Sequence, residues 1–200
     1  MCQTTGHPRS SIWPRRWGDE VARRKLLLDA FVAINLAAAA GLDQIADALQ
    51  VTFIIVSQAA SEAGYLRDIV KGTAVLTPIN LDQFAPSETL EILELAPGEL
   101  ALYLELASIV DDGEAATIGL AIHQRTDLAT DDRRARRLCA ERGLAEPART
   151  VALLHAYGEA AHLTNDEIRQ MLIRVRDRAS FLPARSDPHL KWWNDHIRDA

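Results

Sequence analysis

Lys25-Leu26-Leu27-Leu28-Asp29 is an apolar run that ends on an acid, and Val51-Thr52-Phe53-Ile54-Ile55-Val56 is a second, uncharged run rich in β-branched residues. Continuous runs of this kind suit strands buried on both faces of a parallel sheet. Between them, Val32, Ile34, Leu36, Leu42, Ile45 and Leu49 recur at helical spacing in an alanine-rich stretch, which predicts helices over 31–40 and 42–49 broken at Gly41. The first strand is read as 25–29 and the second as 51–56. Strand, helix and strand in this order demand a right-handed crossover and a sheet covered on both faces.

The pattern continues beyond this unit. Ser57 is read as the cap of a helix running to about Val70, with Gly72 as its stop. Ala74 to Ile79 reads as a strand or an irregular crossing, and Pro78 and Pro86 bound a loop. Leu90 to Leu95 alternates apolar and acidic residues and reads as a strand. Pro97 marks a helix start ahead of Leu100, Leu104, Ala107 and Val110. Asp111-Asp112-Gly113-Glu114 has the form of a capping box opening a helix to about Arg125. Asp127 to Asp131 reads as strand and Asp132 to Arg142 as helix, stopped by Gly143. Further helices are expected over 150–157 and 165–178. The expected fold is α/β, a three-layer α/β/α sandwich around a central parallel sheet of four or five strands. One domain, residues 25–182, is flanked by an N-terminal arm, 1–24, and a C-terminal tail, 183–200.

Composition supports a single globular unit: 200 residues, 48% hydrophobic and 25% charged. No apolar run has transmembrane length, and the N-terminus lacks the apolar core of a signal peptide. The expectation is therefore a cytoplasmic protein that does not meet the membrane, with Cys2 and Cys139 as free thiols. The net charge of −6 argues against a generic nucleic-acid coat. Lysine stands only at Lys25, Lys71 and Lys191; the other basic residues are arginines. Arg133, Arg134, Arg136, Arg137 and Arg142 crowd one segment, and Arg169, Arg174, Arg176, Arg178 and Arg185 another. Each cluster reads either as phosphate contacts or as a solvated helix face.

Familiar chemical motifs are missing. There is no Gly-x-Gly-x-x-Gly, Gly-Lys-Ser/Thr, Gly-x-Ser-x-Gly, Cys-x-x-Cys or His-Glu-x-x-His. What stands out is acidic. Asp29 ends the first strand, Glu62 follows the second, Glu114 opens a helix, and Asp131 and Asp132 close a third short run. In a parallel sheet these positions share one edge, where ligands bind. Clustered carboxylates call for a cation, and oxygen-only donors favour Mg²⁺ or Mn²⁺. Taken singly, each acid has a plain alternative as a helix cap or an exposed helix residue.

Three stretches make the chain resemble the PIN-domain family, which includes bacterial toxin ribonucleases. They are Leu27-Leu28-Asp29-Ala30; Ile55-Val56-Ser57-Gln58-Ala59-Ala60-Ser61-Glu62-Ala63; and Asp112-Gly113-Glu114-Ala115-Ala116-Thr117-Ile118-Gly119-Leu120-Ala121 with Asp127-Leu128-Ala129-Thr130-Asp131-Asp132-Arg133-Arg134-Ala135-Arg136. The resemblance covers about 25–182. It implies a divalent-metal-dependent ribonuclease that cleaves RNA phosphodiesters. Asp29, Glu62, Glu114 and one of Asp131 or Asp132 would be the catalytic metal ligands, and Arg133, Arg134 and Arg136 would contact RNA. It further implies a homodimer and, for a toxin of a toxin–antitoxin pair, an antitoxin partner. A non-catalytic RNA-binding or regulatory member with an incomplete metal site is the alternative. Ala30 and Phe31 stand where small hydroxyl residues often follow the first acid, Ser57 where proline often begins the helix, and Arg149 and Thr150 where many toxin relatives carry a last acid.

Overall fold

The computed structural model describes residues 23–70, 72–81 and 88–198. Most of the expected N-terminal arm, Cys2 and the loop bounded by Pro86 lie outside them. Four parallel strands form the central sheet in the order β5-β2-β1-β6: β1 Arg24–Leu28, β2 Val51–Val56, β5 Leu90–Leu93 and β6 Asp127–Ala129. An isolated parallel bridge from Ala129 to Ala148 extends the β6 edge.

Alternation along the strands builds the three layers. Leu26, Leu28, Phe53 and Ile55 face one side and pack with α1 (Ala30–Ala39), α2 (Leu42–Leu49), α7 (Thr150–Ala160) and α8 (Asn165–Arg178). Leu27, Ile54 and Val56 face the other and pack with α4 (Leu100–Ala107), α5 (Asp112–Gln124) and α6 (Arg133–Glu141). All six residues of β2 are buried, as a strand covered on both faces requires. Gly41, at φ 100, lets the chain leave α1 and enter α2 at a bend of 92°. Among the described residues no single helix is long and apolar enough to cross a membrane.

Two readings of the sequence are corrected. Ser57 does not cap a helix reaching Val70. Helix α3 spans only Ser57–Glu62, Val56 is its cap residue, and the Ser57 hydroxyl donates to Glu94 instead (2.7 Å). The chain then forms an antiparallel hairpin, β3 Tyr65–Val70 and β4 Thr73–Pro78, outside the main sheet. The apolar residues Leu66, Ile69 and Val70 fall at helical spacing, but Ile69 and Val70 are β-branched and the break at Ala63-Gly64 decides for strand. Leu66 is buried, and Arg178 of α8 grips Asp68 through two guanidinium nitrogens (2.6 and 3.2 Å). This fastens the hairpin to the body of the protein.

The second correction concerns the stretch read as a tail. It carries helix α9, Leu190–Arg198, whose Trp193 is 2% exposed and meets Phe181 edge-on at 5.7 Å. Burying so large a ring, worth about 3 kcal/mol or more, helps to offset the entropy lost in ordering this segment.

Candidate functional site

Strand order reverses at β1. The chain steps from β1 to β2 and β5 on one side, then returns to place β6 on the other. Crevices outside the carboxyl ends of strands open at such a reversal. Asp29 leaves β1 there, Thr130, Asp131 and Asp132 leave β6, and α3 carries Glu62 from the end of β2.

Asp29 is 5% exposed and caps α1, accepting from the Val32 N–H at 2.7 Å. Burial pushes its pKa up to about 6, against hydrogen bonds from Thr130 and Val32 that pull it down; Asp131 and Asp132 raise it further. Glu114 lies in the first turn of α5, behind the cap Asp111, whose carboxylate accepts from the Glu114 N–H at 2.8 Å. Its own carboxyl makes no hydrogen bond among the described residues. Burial, then the charges of Asp111, Asp132, Asp29 and Glu62, push its pKa up to about 7. Glu62 accepts from the Gly113 N–H at 3.1 Å. Burial and the charges of Asp111 and Asp112 raise its pKa, while that hydrogen bond lowers it. Glu114 therefore lies within electrostatic reach of Asp29, Glu62 and Asp132, and Asp29 within reach of Asp132, although the four come from separate segments.

Asp131 and Asp132 part company. Asp132 caps α6, accepting from the Ala135 N–H at 2.8 Å, and its charge reaches both Asp29 and Glu114. Asp131 also raises the Asp29 pKa, but both its oxygens are occupied. They accept from the Thr150 N–H at 3.1 Å and the Thr150 hydroxyl at 2.5 Å. That hydroxyl in turn accepts from Asn35 at 3.0 Å. Burial raises the Asp131 pKa and the two Thr150 bonds lower it. Asp131 thus holds the start of α7, while Asp132 faces the acidic group.

Thr130, Thr150, Asn35 and Gly113 escaped the sequence reading. Gly113 carried a signal in its place before Glu114. A Cβ built there would stand 2.6 Å from a Glu62 carboxylate oxygen and 2.9 Å from its carbon. Gly113→Ala is expected to displace the Glu62 carboxylate while leaving the fold melting within about 1 kcal/mol of wild type, since alanine suits a first helical turn. The check is Mn²⁺ titration by calorimetry alongside thermal melting; unchanged binding would show that the Glu62 position is immaterial.

Arg133 and Arg134 start α6 beside Asp132, exposed and with no ion-pair partner among the described residues. Arg136 keeps its Nε buried and unbonded. In the second arginine cluster, three members are committed to the protein: Arg174 donates twice to the Ala39 carbonyl, Arg178 holds Asp68, and Arg176 pairs with Asp177. Cys139 is buried and free, and burial pushes its thiol up to about 11, so it is an inert core residue.

The central parallel sheet covered by helices on both faces is consistent with a PIN-like fold, which is of nuclease type. The family model described as DUF3368, PIN domain, matches residues 25–186, and the chain belongs to this PIN-domain family. No curated protein and no solved structure matches the chain.

Proposed function

We propose that this protein is a divalent-metal-dependent endoribonuclease. The observation that carries the reading is the set Asp29, Glu62, Glu114 and Asp132, in which burial and neighbouring negative charge raise the proton affinity of Asp29, Glu62 and Glu114. Such a set binds either protons or cations, and its donors are all carboxylate oxygens, which fit Mg²⁺ or Mn²⁺. Among the described residues no group of three such side chains already stands in ion-holding geometry, so binding would require the carboxylates to draw together around the ion. Asp29, Glu62, Glu114 and Asp132 would hold the metal, with Asp131 behind them fixing the chain at Thr150. A metal held there would supply Lewis-acid chemistry, polarising the scissile phosphate and lowering the pKa of an attacking water.

The chain's own residues supply the rest. Arg133 and Arg134, next to Asp132 and with no ion-pair partner among the described residues, hold the RNA backbone, with Arg136 one turn behind them. Phe31, 68% exposed and two residues from Asp29, offers a ring on which an unpaired base stacks. Single-stranded RNA is the substrate this arrangement accepts, and a cytoplasmic location goes with it. The same activity serves the toxin of a toxin–antitoxin pair, in which case expression arrests growth and a partner protein relieves the arrest.

The test is cleavage of single-stranded RNA by the purified chain. Cutting is expected with Mg²⁺ or Mn²⁺ and is lost with a chelator. Asp29→Asn is expected to lower the rate at least about a hundredfold while keeping the α1 cap, because asparagine caps as well as aspartate. Arg134→Ala weakens binding and flattens its salt dependence, since each phosphate contact adds to that slope. RNA that binds and is never cut under any divalent metal would establish the binding-module alternative.

A further inference from the structure

Strand β4, Thr73-Ala74-Val75-Leu76-Thr77-Pro78, carries no charge, and all six of its residues are exposed. Among the described residues it is paired with β3 alone. Edge strands in soluble proteins are normally short, charged or covered, because their free N–H and C=O groups recruit other strands. The hairpin does not hang loose, since Leu66 and the Asp68–Arg178 ion pair fix it to the domain. Its outer face adds exposed Tyr65, Ile69 and Leu76, at 58%, 61% and 65%.

The phase of the ladder is known. The Ile79 N–H donates to the Gly64 carbonyl at 2.9 Å, in register with Tyr65 opposite Pro78. Alternation then turns the backbone groups of Thr73, Val75 and Thr77 towards β3 and those of Ala74, Leu76 and Pro78 towards the open edge. We propose that this edge pairs antiparallel with the same edge of a second copy of the chain, on a two-fold axis through Val75, to make a continuous four-stranded β3-β4-β4-β3 sheet.

In that register Ala74 lies opposite Leu76 of the second copy, and the two residues exchange N–H and C=O bonds on each side of the axis. Val75 meets Val75 as the close, non-hydrogen-bonded pair, and Thr73 meets Thr77. Every pair is β-branched, aliphatic or hydroxyl, the combinations that stabilise cross-strand neighbours. The next outward position is Pro78, which has no N–H, so the ladder ends there. Within the two strands the charged residues are Arg67 and Asp68, both on β3 one strand back from the edge, and Asp68 is paired with Arg178, so β4 itself brings no charge to the pairing. A shift of one residue would aim outward-facing groups at inward-facing ones. A shift of two one way would bring Pro78 into the ladder, and a shift of two the other way would set Leu76 opposite Gly72 in the turn. The register through Val75 uses both outward residues, Ala74 and Leu76, within the two strands.

The experiment is sedimentation of the full chain combined with single cysteines in a Cys2→Ser background, Cys139 being buried. The wild type is expected to sediment at twice the monomer mass. Leu76→Pro removes an outward N–H that the hairpin does not use, and is expected to halve the mass with the melting curve kept. Leu104→Asp, at an equally exposed apolar position on α4, leaves the mass unchanged. Under mild oxidation Val75→Cys is expected to cross-link to itself. Thr73→Cys and Thr77→Cys are expected to cross-link only when the two variants are mixed. A monomeric wild type, as would be found if the edge takes a strand from a different protein, overturns the proposal. So does a dimer in which Val75→Cys fails to cross-link or Thr73→Cys cross-links alone.

Discussion

Without divalent metal, the protein is expected to melt at progressively lower temperature as the pH rises from about 5 to about 8, and millimolar Mn²⁺ is expected to cancel most of that fall. The cause is the raised proton affinity of Asp29, about 6, and of Glu114, about 7, in the folded chain. An unfolded aspartate or glutamate releases its proton near pH 4. Between that pH and about 7 the folded state holds protons that the unfolded state has lost, so stability falls with rising pH. The penalty is absent below the unfolded values and complete above the folded ones. Asp29 alone contributes about 3 kcal/mol, at 1.4 kcal/mol per pKa unit, because it is almost fully buried. Glu114 adds in the same direction. Asp29→Asn is therefore expected to flatten the pH dependence, to raise the metal-free melting temperature at pH 8, and to reduce the response to Mn²⁺. A metal-free melting temperature that climbs steadily over this range would sink the idea that these carboxylates crowd one another in the folded state.

Much of the architecture was open to reading because local and global signals agree. Val51–Val56 is uncharged and β-branched and is the central strand. Thr164 and Glu167 form the capping box that starts α8 at Asn165, where the sequence placed it. Hairpin β3–β4 was hidden because Leu66, Ile69 and Val70 suit a helix as well as a strand, and its anchor, Arg178, lies 110 residues away. Trp193 was hidden because the stretch 183–200 reads as a tail, and its partner, the Phe181 ring, lies just before that stretch. The acidic positions were nominated together because parallel strands share their carboxyl edge, but among the described residues no three of them stand in ion-holding geometry. Their finer division was not legible. Whether Asp131 or Asp132 faces the group depends on Thr150, 19 residues further on, and spacing carries no information about it.

That division leads to opposite expectations for neighbouring residues. Asp131 binds the start of α7 through the Thr150 N–H and hydroxyl, and Asn35 completes the chain of bonds from α1. Thr150 is 0% and Asn35 4% exposed, so water cannot replace a lost partner. Thr150→Val strips one hydrogen bond from a buried carboxylate and one from a buried amide, and is expected to cost about 2–4 kcal/mol. Asp131→Asn keeps an acceptor for the Thr150 N–H and is expected to cost less, with the Mn²⁺ response largely retained. Asp132→Asn keeps the α6 cap, so stability changes by under about 1 kcal/mol, but removes a charge that acts on both Asp29 and Glu114. Its Mn²⁺ response and RNA cleavage are both expected to fall at least about tenfold. Chemical denaturation with and without Mn²⁺ separates the two residues in one experiment. The reverse pattern, with Asp131→Asn losing the metal and Asp132→Asn losing stability, would mean that Thr150 releases Asp131 into the cleft when a cation binds.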